Sequence, residues 1–120
     1  CKAAFDAWAP ALQGLKGEEL KEAVRRIAPF LVHTTVADYI KHHRFIYDQS
    51  LTNYIRREAR IYAVPMGTGI VDYPSFFDAL KEIGYRGWVA YEMCEVLKGG
   101  GNEENLDRCA RVFLDYMRKL

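Results

Sequence analysis

Three side chains that can bind a metal ion or transfer a proton occur in, or directly after, short apolar stretches of this sequence. Asp6 ends the first stretch, His33 lies in the second, and Glu92 follows the third. Short apolar stretches of this kind are typical of buried strands. In proteins with parallel strands, ligands bind beyond the carboxyl ends of the strands. We therefore expect Asp6, His33 and Glu92 to lie at or near such ends and to meet at one edge of a sheet.

An imidazole and two carboxylates form a mixed set of nitrogen and oxygen ligands. Such a set suits a divalent Mn, Mg, Co or Zn ion and leaves positions open for substrate oxygens. A single acid or histidine at the end of a strand is more often only a loop cap. The prediction of a metal site with the ligands Asp6, His33 and Glu92 therefore depends on the occurrence of all three side chains together.

The sequence predicts strands that alternate with helices along the chain. Strands are expected in the apolar stretches at residues 2–5, 30–36 and 87–91. Apolar side chains at helical spacing predict helices at residues 17–28, from Asp72 to about Gly84, and from Asn102 to the end of the chain. Strands that alternate with helices form βαβ units and pair in parallel. The predicted fold class is therefore α/β, with parallel strands and outer helices.

Two segments lack a clear periodic pattern. Residues 7–10 are predicted as a loop because Pro10 blocks further strand pairing. Residues 37–62 are rich in basic and aromatic side chains, and a connection of this length is usually a functional lid or a solvated excursion. Arg44, within this segment, is a candidate for binding a substrate carboxylate. A short extended piece is expected at residues 61–69.

The composition of the chain limits the classes of protein to which it can belong. The 120 residues fit one domain, and a formal net charge of +1 gives no reason to expect nucleic acid or an anionic membrane as the partner. No apolar stretch approaches the length of a membrane span, and the N-terminus lacks the layout of a signal peptide. Three cysteines without a C-x-x-C pair fit a reducing, cytoplasmic setting. The chain opens on Cys1 within a strand-like stretch, so we expect a partial domain.

Two stretches resemble a known family. The sequences VPMGTGIVDYPSFF at residues 64–77 and ALKEIGYRGW at residues 79–88, with Tyr91 and Glu92 after them, are similar to the C-terminal part of the sugar phosphate isomerase/epimerase family. That family has a xylose isomerase-like TIM barrel. The resemblance covers nearly the whole chain, as a single partial domain of residues 1–120 that corresponds to the last three of eight βα units.

The resemblance implies that Asp6, His33 and Glu92 are three of four metal ligands, on strands six, seven and eight. The fourth ligand, a glutamate from strand four, would lie upstream of Cys1. The sequence departs from the family at two positions that many relatives use for further polar side chains, because Ala9 stands in place of a histidine and Val36 in place of an acid. These differences concern contacts to sugar hydroxyl groups rather than the metal ligands.

The activity that the resemblance implies is metal-dependent isomerisation or epimerisation of a small sugar or polyol, within carbohydrate metabolism. A cation polarises the substrate oxygens, and Glu92 moves a proton next to the carbonyl. Trp8 could bind an apolar sugar face, although core packing is the more common role of such a residue. The expected partners are a small-molecule substrate and, in the full-length protein, further copies of the chain.

Two other functions remain open from the sequence. Endonuclease IV-like phosphodiesterases share the barrel, but they bind several zinc ions and need more histidines than the three in this chain, His33, His42 and His43. A truncated, non-catalytic barrel fragment is the second alternative, because three βα units cannot close a barrel.

Overall fold

Strands and helices alternate along most of the chain in the computed structural model, which describes all residues from 1 to 120. The elements in chain order are β1 (Ala3–Asp6), α1 (Trp8–Leu12), α2 (Gly17–Ile27), β2 (Leu31–Val36), β3 (Asp38–Asp48), β4 (Asn53–Val64), α3 (Tyr73–Glu82), β5 (Trp88–Tyr91) and α4 (Glu103–Met117).

Three of the strands form one parallel sheet in the order β1, β2, β5. These are the three strands predicted from the apolar stretches, and α2, α3 and α4 are the three predicted helices. The prediction of an α/β fold with parallel strands is therefore confirmed. The central strand β2 pairs on both sides, so its backbone groups are satisfied and its register fixes the positions of residues on β1 and β5.

Helix α3 begins where its capping residue predicts. The Asp72 side chain accepts a hydrogen bond from the backbone N–H of Ser75 at 3.2 Å, and Pro74 lies in the first turn. Proline suits this turn because its missing N–H would have no partner inside the helix. Gly84 follows the helix with a φ of +64°, a left-handed conformation that glycine adopts at little cost.

The core lies between the sheet and helices α2 and α3. Its largest fully buried side chains include Tyr39, Tyr73, Phe76 and Leu20. The ring of Phe76 stacks on Phe5 of β1 with a centroid distance of 5.9 Å. In α2 and α3 the apolar residues at helical spacing are therefore the residues that face the core.

The loop predicted at residues 7–10 is wrong, because the short helix α1 forms there. Pro10 occupies the third position of this helix. A proline in the first helical turn loses no intrahelical hydrogen bond, so it ends the strand without preventing a helix. The segment after Asp6 is consequently compact.

The long irregular connection predicted at residues 37–62 is also wrong. Strands β3 and β4 form an antiparallel hairpin that pairs from Asp38 with Val64 to Asp48 with Asn53, and the register shifts between His42 and Arg44. Both faces of the outer hairpin are exposed to solvent, so the sequence carries no alternation of apolar and polar residues. The irregularity near His43 further disrupts the strand pattern.

None of the four helices combines the length and the apolar character that crossing a membrane would require.

Candidate active site

Asp6 and Thr35 lie at the same level near the carboxyl edge of the sheet. The register pairs Asp6 of β1 with Thr35 of β2, and Thr35 with Ala90 of β5. Side chains at paired positions of neighbouring strands lie on the same face of a sheet. Asp6 and Thr35 are therefore neighbours on one face. The sequence did not single out Thr35.

Glu92 lies on the same face, two residues beyond the level of Asp6. It is two residues beyond Ala90, and its backbone N–H donates to the carbonyl oxygen of Val36 at 3.1 Å, so the chain is still extended there. Because successive side chains of a strand alternate between faces, Glu92 follows Ala90 on the face that carries Asp6. The sheet thus brings two carboxylates to one edge.

His33 lies deeper in the sheet than the other two predicted ligands. It is the third of six residues in β2 and pairs with Ala4 and Trp88. At about 3.3 Å per residue, His33 is roughly 13 Å below Glu92 along the strand direction. No group of three or more His, Cys, Asp and Glu side chains has the spacing to hold a metal ion. The three side chains are therefore not gathered into one such group in this structure, and their joint binding of a metal ion stays a prediction.

The environment of Asp6 disfavours its charged form. Burial raises the pKa of the Asp6 carboxyl above its usual range, and the nearby charge of Glu92 adds to the rise. Hydrogen bonding to Trp8 and the Thr35 side chain oppose this shift. The backbone N–H of Trp8 donates to Asp6 Oδ1 at 3.1 Å, which fixes the orientation of the carboxyl group.

Tyr39 and Trp8 form the wall next to Asp6. The two rings pack at a centroid distance of 5.1 Å with an interplanar angle of 44°, and Trp8 is half-buried. Tyr39 Oη accepts a hydrogen bond from the backbone N–H of Cys94 at 3.1 Å. Burial raises the pKa of the Tyr39 phenol, so the phenol keeps its proton at neutral pH. Tyr39 is fully buried, so it holds Trp8 and the Cys94 backbone in position beside Asp6, and the sequence did not single it out.

The buried carboxylate of Asp38 lies next to Tyr39 and binds backbone N–H groups of the loop after β4. Asp38 is 1% exposed and accepts backbone hydrogen bonds from Gly69 at 2.7 Å, Tyr39 at 3.0 Å and Val71 at 3.3 Å. A Cβ atom on Gly69 would collide with the Asp38 carboxylate and the Tyr39 carbonyl. Asp38 therefore fixes the loop after β4 to the base of the hairpin, next to Tyr39.

Arg44 lies away from this edge. It is exposed on β3 and pairs with Arg57 near the register shift. Six residues of extended chain separate it from Asp38, which corresponds to roughly 20 Å. The sheet therefore does not bring Arg44 to Asp6 and Glu92, and the predicted contact to a substrate carboxylate stays a prediction.

The model of one family, the xylose isomerase-like TIM barrel, matches residues 3–116, from the first residue of β1 to the last turn of α4. This family includes isomerases, epimerases and endonuclease IV-like enzymes. No curated protein and no solved structure matches the chain significantly. The parallel sheet with outer helices agrees with the family fold. The chain therefore belongs to the xylose isomerase-like TIM barrel family.

Proposed function

We propose that this chain supplies part of the active site of an isomerase or epimerase, which acts on a small sugar or polyol by moving a proton next to a carbonyl group. One observation carries the proposal. Asp6 and Glu92, from the strands on either side of β2, share one face at the carboxyl edge of the sheet. Proton transfer needs a positioned base and nearby groups that bind the substrate oxygens.

The two carboxylates have different surroundings and therefore different roles. Glu92 follows the end of β5 and is exposed, so it can reach a substrate proton. Asp6 is partly buried and held by the Trp8 N–H, so it is suited to binding a substrate hydroxyl in a fixed position.

A divalent Mn, Mg, Co or Zn ion is part of the proposal for the whole protein. Enzymes of this family often use divalent metals. A bound ion would polarise the carbonyl oxygen of the substrate. That Asp6, His33 and Glu92 hold one ion together stays a prediction. Metal analysis of the protein checks it, with Asp6→Asn and His33→Ala compared as separate variants.

The position of the chain in the barrel is proposed from the resemblance. Strands β1, β2 and β5 would be strands six, seven and eight of the barrel, and a glutamate on strand four would complete the site from an upstream segment. A cytoplasmic location follows from the cysteine content and stays an expectation. The alternative function is that of a truncated, non-catalytic barrel fragment. In such a fragment the same carboxylates lie at the edge of the sheet, but the site lacks its other residues.

An endonuclease IV-like phosphodiesterase is less well supported. Two of the three histidines, His42 and His43, lie exposed on the hairpin. Neither is on the three-stranded sheet that carries Asp6 and Glu92. A cluster of several zinc ions requires more ligands at the carboxyl edge than His33 can add.

The experiment that tests the proposal is deuterium exchange into sugars. The intact protein is incubated with a panel of aldoses and ketoses in heavy water, and incorporation next to the carbonyl is measured by mass spectrometry. We expect Glu92→Gln to reduce the exchange rate at least about 100-fold, as for loss of a general base. The matched control is Glu95→Gln, another exposed glutamate that follows β5.

Three outcomes are informative. Loss of exchange in Glu92→Gln alone supports the role of Glu92. Near-normal exchange in that variant refutes the role. The absence of exchange with every sugar in the unmodified protein contradicts the function itself.

A further inference from the structure

A concavity lies where the base of the hairpin, the loop after β4 and the start of α4 meet. Its volume is about 470 Å³. The hairpin contributes the apolar side chains of Ile40 and Val64 to its lining, and the loop after β4 contributes Thr68. Two cations complete the lining, Lys98 from the loop before α4 and Arg108 from α4 itself, and no acidic residue is part of it. We call this concavity the basic pocket.

The basic pocket is separate from the candidate active site. Tyr39 of β3 packs on Trp8, next to Asp6. Ile40 is the next residue along the same strand, and successive side chains of a strand lie on opposite faces. The pocket that Ile40 lines is therefore on the other side of the hairpin base from the wall that Tyr39 and Trp8 form.

The two cations of the basic pocket have no counter-charge within the chain. Neither Lys98 nor Arg108 forms an ion pair. Glu104 precedes Arg108 by one helical turn, but the guanidinium donates to the side-chain oxygen of Asn105 instead, at 2.6 Å. Asp38, at the base of the hairpin, is buried and accepts three backbone N–H groups. Two like charges at one cavity repel each other, and a bound anion would relieve that repulsion.

A buried amide holds both cation-bearing segments in place. Asn105 is 9% exposed, and its Nδ2 donates to the carbonyl oxygens of Lys98 at 3.2 Å and Gly100 at 2.7 Å. Its Oδ1 accepts the hydrogen bond from Arg108. One side chain therefore fixes the backbone at Lys98 and the orientation of the Arg108 guanidinium. A site that is organised before its ligand arrives loses less conformational entropy on binding.

We propose that the basic pocket is a second binding site, which takes a dianionic phosphate group. Two negative charges match the two cations, and a guanidinium forms parallel hydrogen bonds to phosphate oxygens while an ammonium adds a compact charge. The Thr68 hydroxyl donates to the carbonyl oxygen of Pro65 at 2.6 Å, so Lys98 and Arg108 supply the side-chain donors. The pocket has room for free phosphate or for a phosphate monoester, whose organic part would contact Ile40.

Titration of the full chain with sodium phosphate, followed by amide chemical shifts in NMR spectra, tests the proposal. We expect saturable shifts that are concentrated at Thr68 and Gly99, which line the pocket. Sodium chloride at matched ionic strength is the control for screening of surface charge. Phenyl phosphate distinguishes the two sources of the phosphate group. Tighter binding of phenyl phosphate than of inorganic phosphate assigns the pocket to a monoester, and equal or weaker binding assigns it to the free ion.

Single substitutions make the test specific to the two cations. We expect Lys98→Ala and Arg108→Ala each to raise the dissociation constant for phosphate at least about tenfold. Arg111→Ala is the matched control, because it removes one positive charge from the same helix at a guanidinium that pairs with Asp107 outside the pocket. Circular dichroism checks that each variant is folded.

Three results would each overturn the proposal of a phosphate site. These are an absence of saturable shifts, equal shifts with phosphate and chloride, and a loss of affinity in Arg111→Ala as large as that in Arg108→Ala. The titration needs no sugar substrate, so its result does not depend on the enzymatic activity proposed above.

Discussion

The Asp38 carboxylate accepts a 2.7 Å hydrogen bond from the backbone N–H of Gly69, a residue 31 positions later in the chain. The bond joins the first residue of β3 to the loop after β4. Two more backbone N–H groups, of Tyr39 and Val71, donate to the same carboxylate. The base of the hairpin and the loop that precedes α3 are thus fixed to each other by one buried side chain.

Replacement of Asp38 by alanine should destabilise the protein strongly. Three backbone N–H groups would lose a charged acceptor in a buried position, and hydrogen bonds of this type contribute about 1.5 to 3 kcal/mol each. We expect a decrease of at least about 3 kcal/mol in the free energy of unfolding, measured by urea denaturation. The control is Asp78→Ala at an exposed position of α3, which should change stability by less than about 1 kcal/mol. Equal effects of the two substitutions would contradict the role of Asp38.

Substitution of Gly69 by alanine tests the close approach of this loop to Asp38. The added methyl group would collide with the Asp38 carboxylate and with the carbonyl oxygen of Tyr39. We expect a loss of about 2 kcal/mol or more in thermal or urea unfolding, because the loop must move to relieve the contact. Gly101→Ala is the matched control, since no atom lies within 4 Å of the added carbon there. A neutral effect at Gly69 would show that the loop is free to shift.

Tyr73 forms a second buried connection to the base of the hairpin. Its hydroxyl donates to the carbonyl oxygen of Ala37 at 2.6 Å and accepts from the N–H of the same residue at 2.9 Å. Tyr73→Phe removes both bonds and leaves two backbone groups without a partner, so we expect a loss of about 1 to 3 kcal/mol in urea denaturation. Tyr47→Phe, at an exposed position of β3, serves as the control. Comparable values for the two variants would argue against this connection.

Asp72 makes stability depend on pH in the acidic range. Burial alone would raise the pKa of Asp72, but hydrogen bonds from Gly17 and Ser75 and the charge of Lys16 outweigh it and lower the pKa below 3.8. A carboxyl with a lowered pKa in the folded state stabilises the protein above its unfolded pKa, and that contribution is lost as pH falls through the folded pKa. The difference in unfolding free energy between the unmodified protein and Asp72→Asn should therefore be largest above pH 3.8 and shrink below it.

Urea denaturation at a series of pH values measures this difference. Asparagine keeps the oxygen that accepts from Ser75 but loses the charge and the oxygen that accepts from Gly17, and only the charge can make the difference depend on pH. Glu95→Gln is the control at an exposed position. A difference between the unmodified protein and Asp72→Asn that stays constant across pH 3.8 would contradict the prediction.

Burial determined which elements could be predicted from the sequence. The strands β1, β2 and β5 and the helices α2, α3 and α4 each bury apolar residues, and burial leaves a pattern of spacing in the sequence. The outer part of the hairpin of β3 and β4 has solvent on both sides, so its strands had no such pattern. Helix α1 was missed because Pro10 ended the strand pattern without excluding a helix.

The candidate site was predictable in part for a related reason. The stretches that carry Asp6 and Glu92 end where the chain leaves the sheet, so these acids were placed correctly. His33 and Thr35 lie on the same face of β2, and only the register with β1 distinguishes which of them is level with Asp6. Register is a long-range property, and the sequence of β2 does not contain it.

The Asp72 side chain also bonds to the N–H of Gly17 at 2.8 Å, so one carboxylate caps the first turns of both α2 and α3. Fraying at the start of either helix therefore deprives the other of its cap. The two starts should open in a single cooperative event, with matched rates of amide hydrogen exchange at Gly17 and Ser75. Segments separated by 55 residues of sequence thus belong to one unfolding unit.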